Sequence, residues 1–455
     1  MTRILTRHTD QPDQVQLDVA RRGGAYQGFE AALSRSRQEV IQEVEASGLR
    51  GRGGAGFPTG RKWSFIHPAP DRPVYLLCNA DESEPGTFKD HYLLKRDPHL
   101  VLEGIAIAAY AIGAHKAYLY LRGEYASLAM VMAGAIEQAK AAGILGDSCL
   151  GSGYGLRVSI QLGAGAYICG EETGLIQSLE GRRAYPRVRP PFPASAGFLD
   201  QPTVVNNVET LANLPWIMTE GADRYAGVGT GRSAGTKLVS LSGQVSRPGV
   251  YEVTMGRPLL QFLNEEGGGM LPGRQLKAVI PGGTSVPILS ADEAAGVTID
   301  YESMQAAGTM LGSGGMIAFD DTAQMPPALL RIAEFYAHES CGECTPCREG
   351  TGWMARVLKR LLAGEGRVND LDLLLRTGDN MEGRTICGLG DAAVQPVQSF
   401  IRKFRPEFEA LLPPAPDPSP PWQRHGHGPR SARMGPPAVE AALSEPVEGP
   451  PTASL

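Results

Sequence analysis

Between residues 74 and 162, short apolar runs alternate with longer stretches whose apolar positions recur at helical spacing. Residues 74–78, 116–121 and 156–162 read as strands, and residues 99–114 and 125–142 as helices. Strands separated by helices predict a parallel sheet with crossover connections. Upstream, Phe29, Leu33, Val40, Ile41 and Val44 fall on one stripe and predict a single amphipathic helix over 29–46. Beyond residue 236 the pattern becomes strand (237–241), strand (250–253), short helix (259–266) and strand (276–280), ending with 311–316. It predicts a compact α+β module of the β-grasp, ubiquitin-like kind, a docking or spacer domain in which nothing looks catalytic. Apolar stripes over 325–338, 352–362, 368–375 and 392–412 predict a C-terminal helical bundle. The expected organisation is an N-terminal extension (1–28), an α/β domain (29–230), the β-grasp-like domain (231–322), the bundle (323–412) and a Pro-rich tail (413–455). The tail has too few large apolar residues to offset ordering and is predicted to be disordered, or a tether to a partner.

Charge and composition narrow the function. A net charge of −6 over 455 residues argues against a nucleic-acid binder. The longest apolar run, 104–114, falls short of the roughly 20 residues a bilayer helix needs. The N-terminus has no apolar core of signal-peptide length, which predicts a reducing, cytoplasmic setting.

Four stretches carry chemistry. In Glu339-Ser-Cys-Gly-Glu-Cys-Thr-Pro-Cys-Arg-Glu-Gly350, Cys341, Cys344 and Cys347 recur every third residue, and Cys387 follows in Thr385-Ile-Cys-Gly-Leu-Gly390. Three thiols on one loop and a distant fourth suit a [4Fe–4S] cluster. Structural zinc is the competing reading, although it usually takes two separated C-x2-C pairs. Ser47-Gly-Leu-Arg-Gly-Arg-Gly-Gly-Ala-Gly-Phe-Pro-Thr-Gly60 formally contains G-x-G-x-x-G, but it follows a helix rather than a strand, so a standard dinucleotide fingerprint is rejected. Its bare N–H groups can still cradle phosphate, with Arg61 and Lys62 as cations and Phe57, Trp63 and Phe65 as flat faces for a ring. Asn79, Asp81, Glu82 and Glu84 follow a strand's C-terminal end, where open α/β sheets bind ligands; a solvated acidic loop is the alternative. A second glycine- and acid-bearing turn, 163–178, ends another strand. After it come Arg182, Arg183, Arg187 and Arg189, which could bind a diphosphate or form surface ion pairs. Asn206 and Asn207 fall at a probable helix start, where capping is the ordinary role of asparagine.

With these motifs in order, the chain resembles the FMN- and NADH-binding flavoprotein subunit (the F-subunit) of respiratory complex I, the NADH-quinone oxidoreductase family. The resemblance rests on 50–60, 78–86, 163–172 and 339–348 and spans roughly residues 30 to 412. It implies FMN, NAD(H) and one [4Fe–4S] cluster held by Cys341, Cys344, Cys347 and Cys387. The implied fold is a Rossmann-like FMN-binding domain with a non-standard glycine loop, then the β-grasp domain, then the bundle carrying the cluster. Gly51, Gly53, Lys62, Asn79, Asp81, Glu82, Tyr167, Glu171, Glu172, Asn206, Asn207 and Thr210 would line the flavin, with Gly54, Gly56 and Gly60 completing the turn. Phe57 and Phe65 would stack near the rings of NADH. Glu84 and Glu172, the residues singled out as catalytic, would border the dinucleotide together with Lys62. Arg189 and Phe192 stand where the family has a basic residue, commonly lysine, and a phenylalanine.

The implied activity is NADH oxidation with electrons passed on to quinone. A hydride carries two electrons and a cubane takes one, so a flavin must stand between them. Implied partners are the [2Fe–2S] E-subunit and the multi-cluster G-subunit, with no nucleic acid and no direct membrane span. Implied placement is peripheral, on the cytoplasmic side of the inner membrane. A diaphorase subunit of a soluble NAD-dependent hydrogenase or formate dehydrogenase is the alternative assembly. Such subunits often carry an N-terminal thioredoxin-like domain, for which some 25 leading residues are too few. A zinc-bound scaffold without redox activity is the third reading.

Overall fold

Four apolar runs align in parallel to form the first sheet: β1 (Tyr75–Ala80), β2 (Lys116–Leu121), β3 (Arg157–Leu162) and β4 (Thr203–Asn207), in the order β3-β2-β1-β4. In this computed structural model the described residues are 2–67, 69 and 71–414. Strand order reverses at β1, which has β2 on one side and β4 on the other. The crevice beyond the C-terminal ends of β1 and β4 is therefore the place where an open α/β sheet takes a ligand. Register puts Asn79 beside Asn207 and Cys78 beside Asn206. Helix Pro98–Ile112 packs behind the sheet and buries every residue except Tyr110, with Asp97 as its N-cap and Gly113 as its left-handed C-cap.

Two expectations for this region change. The stripe over 29–46 is shared by two helices, Gln27–Leu33 and Arg37–Ala46. Ser36 and Glu39 form a capping box that starts the second helix, with Glu39 accepting the Ser36 N–H at 2.7 Å. Local capping there outcompetes propagation of the first helix. Asn206 lies on strand β4, while Asn207 caps helix Val208–Ala212. The first residues of the chain are packed rather than trailing: Ile4 and Leu5 are buried, and the N–H groups of Ile4, Leu5 and Thr6 donate to Glu252 at 2.8–2.9 Å.

The second sheet comprises β5 (Thr236–Gly243), β6 (Gly249–Thr254), β8 (Leu276–Ile280), β9 (Leu289–Ser290) and β11 (Gly315–Asp320), in the order β6-β5-β11-β8-β9. A ribbon of β7 (Arg257–Pro258) and β10 (Thr298–Ile299) flanks it. Helix Leu259–Glu265 covers the sheet, with Phe262 and Leu263 packed among Val239, Leu241, Val279 and Ala318. The sequence pattern ends this module at 311–316, whereas β11 is its central strand, parallel to β5 and antiparallel to β8.

Helices Met325–Glu339, Thr345–Leu362, Asp370–Met381 and Leu389–Lys403 build the bundle around Leu329, Leu358, Leu374, Val397 and Phe400. The second starts seven residues earlier than expected, so Cys344 is its N-cap and Cys347 lies in its first turn. The expected helix over 392–412 breaks at Phe404 before a short turn, Arg405–Glu409. The described residues up to Pro413 form one compact unit. The expectation for the tail falls outside the described residues. No helix among the described residues is long and apolar enough to cross a membrane.

Candidate functional site

A cleft of about 1120 Å³ opens at the C-terminal ends of β1 and β4. One wall is the glycine turn, with Gly51, Gly53, Gly54, Gly56 and Phe57, followed by Lys62 on the short helix Thr59–Ser64 and Phe65 at its C-cap. Strand β1 itself supplies Asn79, the acidic turn after it Asp81, Glu82 and Glu84, and the segment after β3 Tyr167, Glu171 and Glu172. Arg189, Phe192, Asn206, Asn207 and Thr210 complete the lining among the residues singled out from sequence. Gly60 is the exception. It is buried against helix Arg37–Ala46, where a Cβ would stand 2.6 Å from the Glu45 backbone, so it serves helix packing.

Other sequence readings are corrected by packing. Trp63 is fully buried and donates its indole N–H to Asn206 Oδ1 at 2.8 Å, so it fixes a cleft residue instead of offering a face to a ring. Phe57 and Phe65 remain at the rim, with ring centroids 6.3 Å apart and nearly half of each side chain exposed. Of the four arginines in the basic strip, Arg189 alone lines the cleft. Arg187 is held by Glu180 at 2.6 Å and by the Gly197 carbonyl at 3.0 Å, while Arg183 stacks on Tyr185.

Charge pairing fixes the acids. Glu172 is gripped from both sides, by Lys62 at 2.7 Å and Arg189 at 3.1 Å. Glu171 accepts from the N–H groups of Thr173 and Gly174 at 2.9 Å and caps its helix. Glu84 is half-buried and accepts the Tyr167 hydroxyl at 2.6 Å and the Ser285 N–H at 2.8 Å. Burial pushes its carboxyl above the ordinary range, against the pull of these donors. Burial likewise pushes Asp81 up to about 7, although Ser83 donates to it at 2.7 Å. Glu82 moves the same way, through burial and then the neighbouring Asp90 charge, with Lys89 opposing.

Charged residues to which the sequence reading gave no role lie in and beneath the floor. Lys89 Nζ reaches Asp90 at 2.7 Å, Glu209 at 2.9 Å and Asn207 at 3.2 Å. Lys237, from β5, pairs with the same Glu209 oxygen. Arg52 is fully buried, with its guanidinium on the Tyr225 hydroxyl and the Ala234 carbonyl. The second domain is thus more than a spacer. Besides Lys237 and Ser285 it contributes Tyr301, whose hydroxyl donates to the Gly51 carbonyl at 2.8 Å. Gly56 sits at φ +65°, and a Cβ there would come within 2.6 Å of the Tyr301 ring. Chain separation hides these contacts: Tyr301 and Gly51 are 250 residues apart.

All seven cysteines are free. Burial raises the thiols of Cys347 (to about 11) and Cys387 (to about 12). Cys347 lies in the bundle core, and Cys341, Cys344 and Cys387 all pack against that same core. Among the described residues no group of three His, Cys, Asp or Glu side chains is tight enough for a single ion. A four-iron cubane takes one thiolate per iron, and the donor chemistry of these four cysteines suits it. Cys387, Gly388 and Leu389 also line the cleft, so the two sites adjoin.

Comparison with known proteins accounts for this arrangement. Residues 44–216 match the Nuo51 FMN-binding domain, 237–315 the SLBB domain, and 327–411 the NADH-ubiquinone oxidoreductase-F iron-sulfur binding region. The chain is 51% identical over 410 residues to the NADH-quinone oxidoreductase F-subunit 2 of Rhizobium meliloti, covering 90% of this chain and 97% of that one. It belongs to the family of NADH-quinone oxidoreductase F-subunits. The F-subunit of Streptomyces coelicolor is 50% identical over 406 residues, 89% of this chain and 90% of that one. A solved structure of an NAD+-reducing [NiFe]-hydrogenase in the H2-reduced state superposes with a TM-score of 0.79 at 40% identity over 86% of this chain. The chain spans 65% of that hydrogenase chain. The matched FMN-binding region contains the cleft residues from Gly51 to Thr210, and the matched iron-sulfur region contains all four clustered cysteines.

Proposed function

We propose that this chain oxidises NADH in the cleft and hands electrons singly to a cluster on Cys341, Cys344, Cys347 and Cys387, as the flavoprotein subunit of a respiratory NADH-quinone oxidoreductase. The supporting observation is that Cys387 lines the same cleft as the glycine turn and the acids. Bound FMN supplies the exchange between a hydride's electron pair and single electrons. The protein's part is positional. The glycine turn offers bare N–H groups to a phosphate, and Asn79, Asn206 and Asn207 offer amides to a polar chain. Phe57, Phe65 and Phe192 flank the entrance for the nucleotide. Glu84 and Glu172 border it, and Glu84, which has no cation paired with it among the described residues, disfavours the diphosphate and speeds release of NAD+. Arg189 and Lys62 hold Glu172 in place.

In this reading residues 29–230, 231–322 and 323–412 act as FMN/NADH-binding, β-grasp and cluster domains. The neighbouring chains are the [2Fe–2S] E-subunit and the multi-cluster G-subunit, at the cytoplasmic side of the inner membrane. The test is the visible spectrum of purified protein, with flavin and iron assayed, before and after NADH. Bleaching of the flavin band is expected; a colourless preparation after reconstitution with iron, sulfide and FMN would overturn the reading. The similarity to the hydrogenase favours a second reading, a diaphorase subunit. Co-purification with hydrogenase subunits instead of quinone-reducing ones would select it.

A further inference from the structure

We propose that Lys237, contributed by the second domain, is a positioning residue for the phosphate-bearing end of the flavin. The proposal rests on the flavin occupying the cleft. Lys237 is fully buried and pairs with Glu209 Oε2, while the Leu238 N–H donates to the other carboxylate oxygen at 2.8 Å. Glu209 is fully buried and does not line the cleft. The oxygen that takes Lys237 also takes Lys89 at 2.9 Å. Lys89 and Asn207, which meet at 3.2 Å, do line the cleft. Asn207 stands against Gly53, where a Cβ would approach the Asn207 Cβ to 3.0 Å. A continuous line of contacts therefore runs from β5 through Glu209 and Lys89 to the wall beside the glycine turn.

Charge balance gives this line its role. Arg52, Lys89 and Lys237 face Glu82, Asp90 and Glu209, and all six are buried. Without Lys237, Glu209 draws Lys89 away from Asn207 and the floor loses one positive charge. A phosphate dianion above that floor is held less tightly. The same ring system carrying an uncharged ribityl end is not.

The test compares FMN with riboflavin. Full-length protein stripped of flavin is titrated with each, following quenching of flavin fluorescence, and folding is checked by thermal melting. In K237M we expect FMN affinity to fall at least about tenfold and riboflavin affinity less than about threefold. K237R should restore most of the preference for FMN, which simple loss of packing would not allow. E209Q, which removes the opposing anion, should raise that preference. An unchanged preference in a K237M protein that still binds riboflavin overturns the proposal. Should K237M fail to fold, E209Q decides, and a preference unchanged or lowered there is equally fatal. Wild-type protein that binds neither flavin would instead overturn the flavin reading, and this proposal with it.

Discussion

The cysteine site and the cleft adjoin at Cys387, yet they are assembled in opposite ways. Three of the four thiols sit between Cys341 and Cys347, and the structure needs to bring in only one more. The cleft is drawn from five separate stretches of the α/β domain and braced by Lys237, Ser285 and Tyr301 of another. A cluster is held by ligand bonds, so residue type and local spacing nearly suffice. A flavin cleft is held by shape and by buried charge, and both depend on long-range pairing.

The largest expected effect separates the two sites. Cys387→Ala should abolish the cluster, seen as loss of iron and of the broad thiolate-to-iron absorbance, while FMN content falls little. Parallel loss of both would mean that the two sites form one unit and not two neighbours.

Next come two glycines of the same turn. Gly60→Ala pushes a methyl into the Glu45 backbone and should cost about 1–3 kcal/mol in thermal or denaturant unfolding. Gly51→Ala meets nothing closer than 3.5 Å within the protein, so stability should change by less than about 0.5 kcal/mol. Its FMN affinity should nonetheless fall about tenfold, because the methyl enters the cleft. If both variants lost stability alike, the division between packing and cleft glycines would fail.

Buried acids in the cleft give a pH signature below neutrality, far from the alkaline range into which burial pushes Cys347 and Cys387. Asp81, pushed up to about 7 by burial, keeps its proton in the folded protein where the unfolded chain has lost it. The stability this provides is complete below the ordinary carboxylate pKa and is lost as pH rises through about 7. Asp81→Asn should therefore gain on wild type, by roughly a few kcal/mol at most, as pH rises from about 4 to about 7, with a constant difference beyond. Unfolding midpoints across that range check it, and parallel curves would count against a buried, neutral Asp81.

The smallest effect belongs to the rim. Phe57 is nearly half exposed, so Phe57→Ala should leave stability within about 0.5 kcal/mol. Steady-state assays with ferricyanide should show KM for NADH raised about threefold with kcat unchanged, the pattern of uniform binding lost. A fall in kcat instead would move Phe57 from the entrance to the reacting ring.

Much of the fold is legible in the sequence where the pattern is local. β2 and β8 occupy the residues expected, because each is an isolated apolar run bounded by polar turns. β4 reads in sequence as the approach to a helix, since five residues ending in two asparagines give no clear alternation. β11 escapes the pattern because it begins in a glycine-rich segment, and its place at the sheet centre depends on β5 and β8, distant in sequence.

By itself the sequence determined the chemistry on offer: a three-residue cysteine spacing, one glycine turn after a helix and another at a strand end, and acids at strand ends. Those features are local, fixed by covalent order and by the few conformations glycine turns and helix starts allow. Tertiary structure decided which members of each set serve. It turned Gly51 to the cleft and Gly60 to a helix, Phe57 to the rim and Trp63 to the core, Arg189 to Glu172 and Arg187 to Glu180. It also carried Lys237 under a floor that no motif connects to it. Exposure and charge pairing are settled by which distant segments exclude water from one another, and no local spacing encodes that.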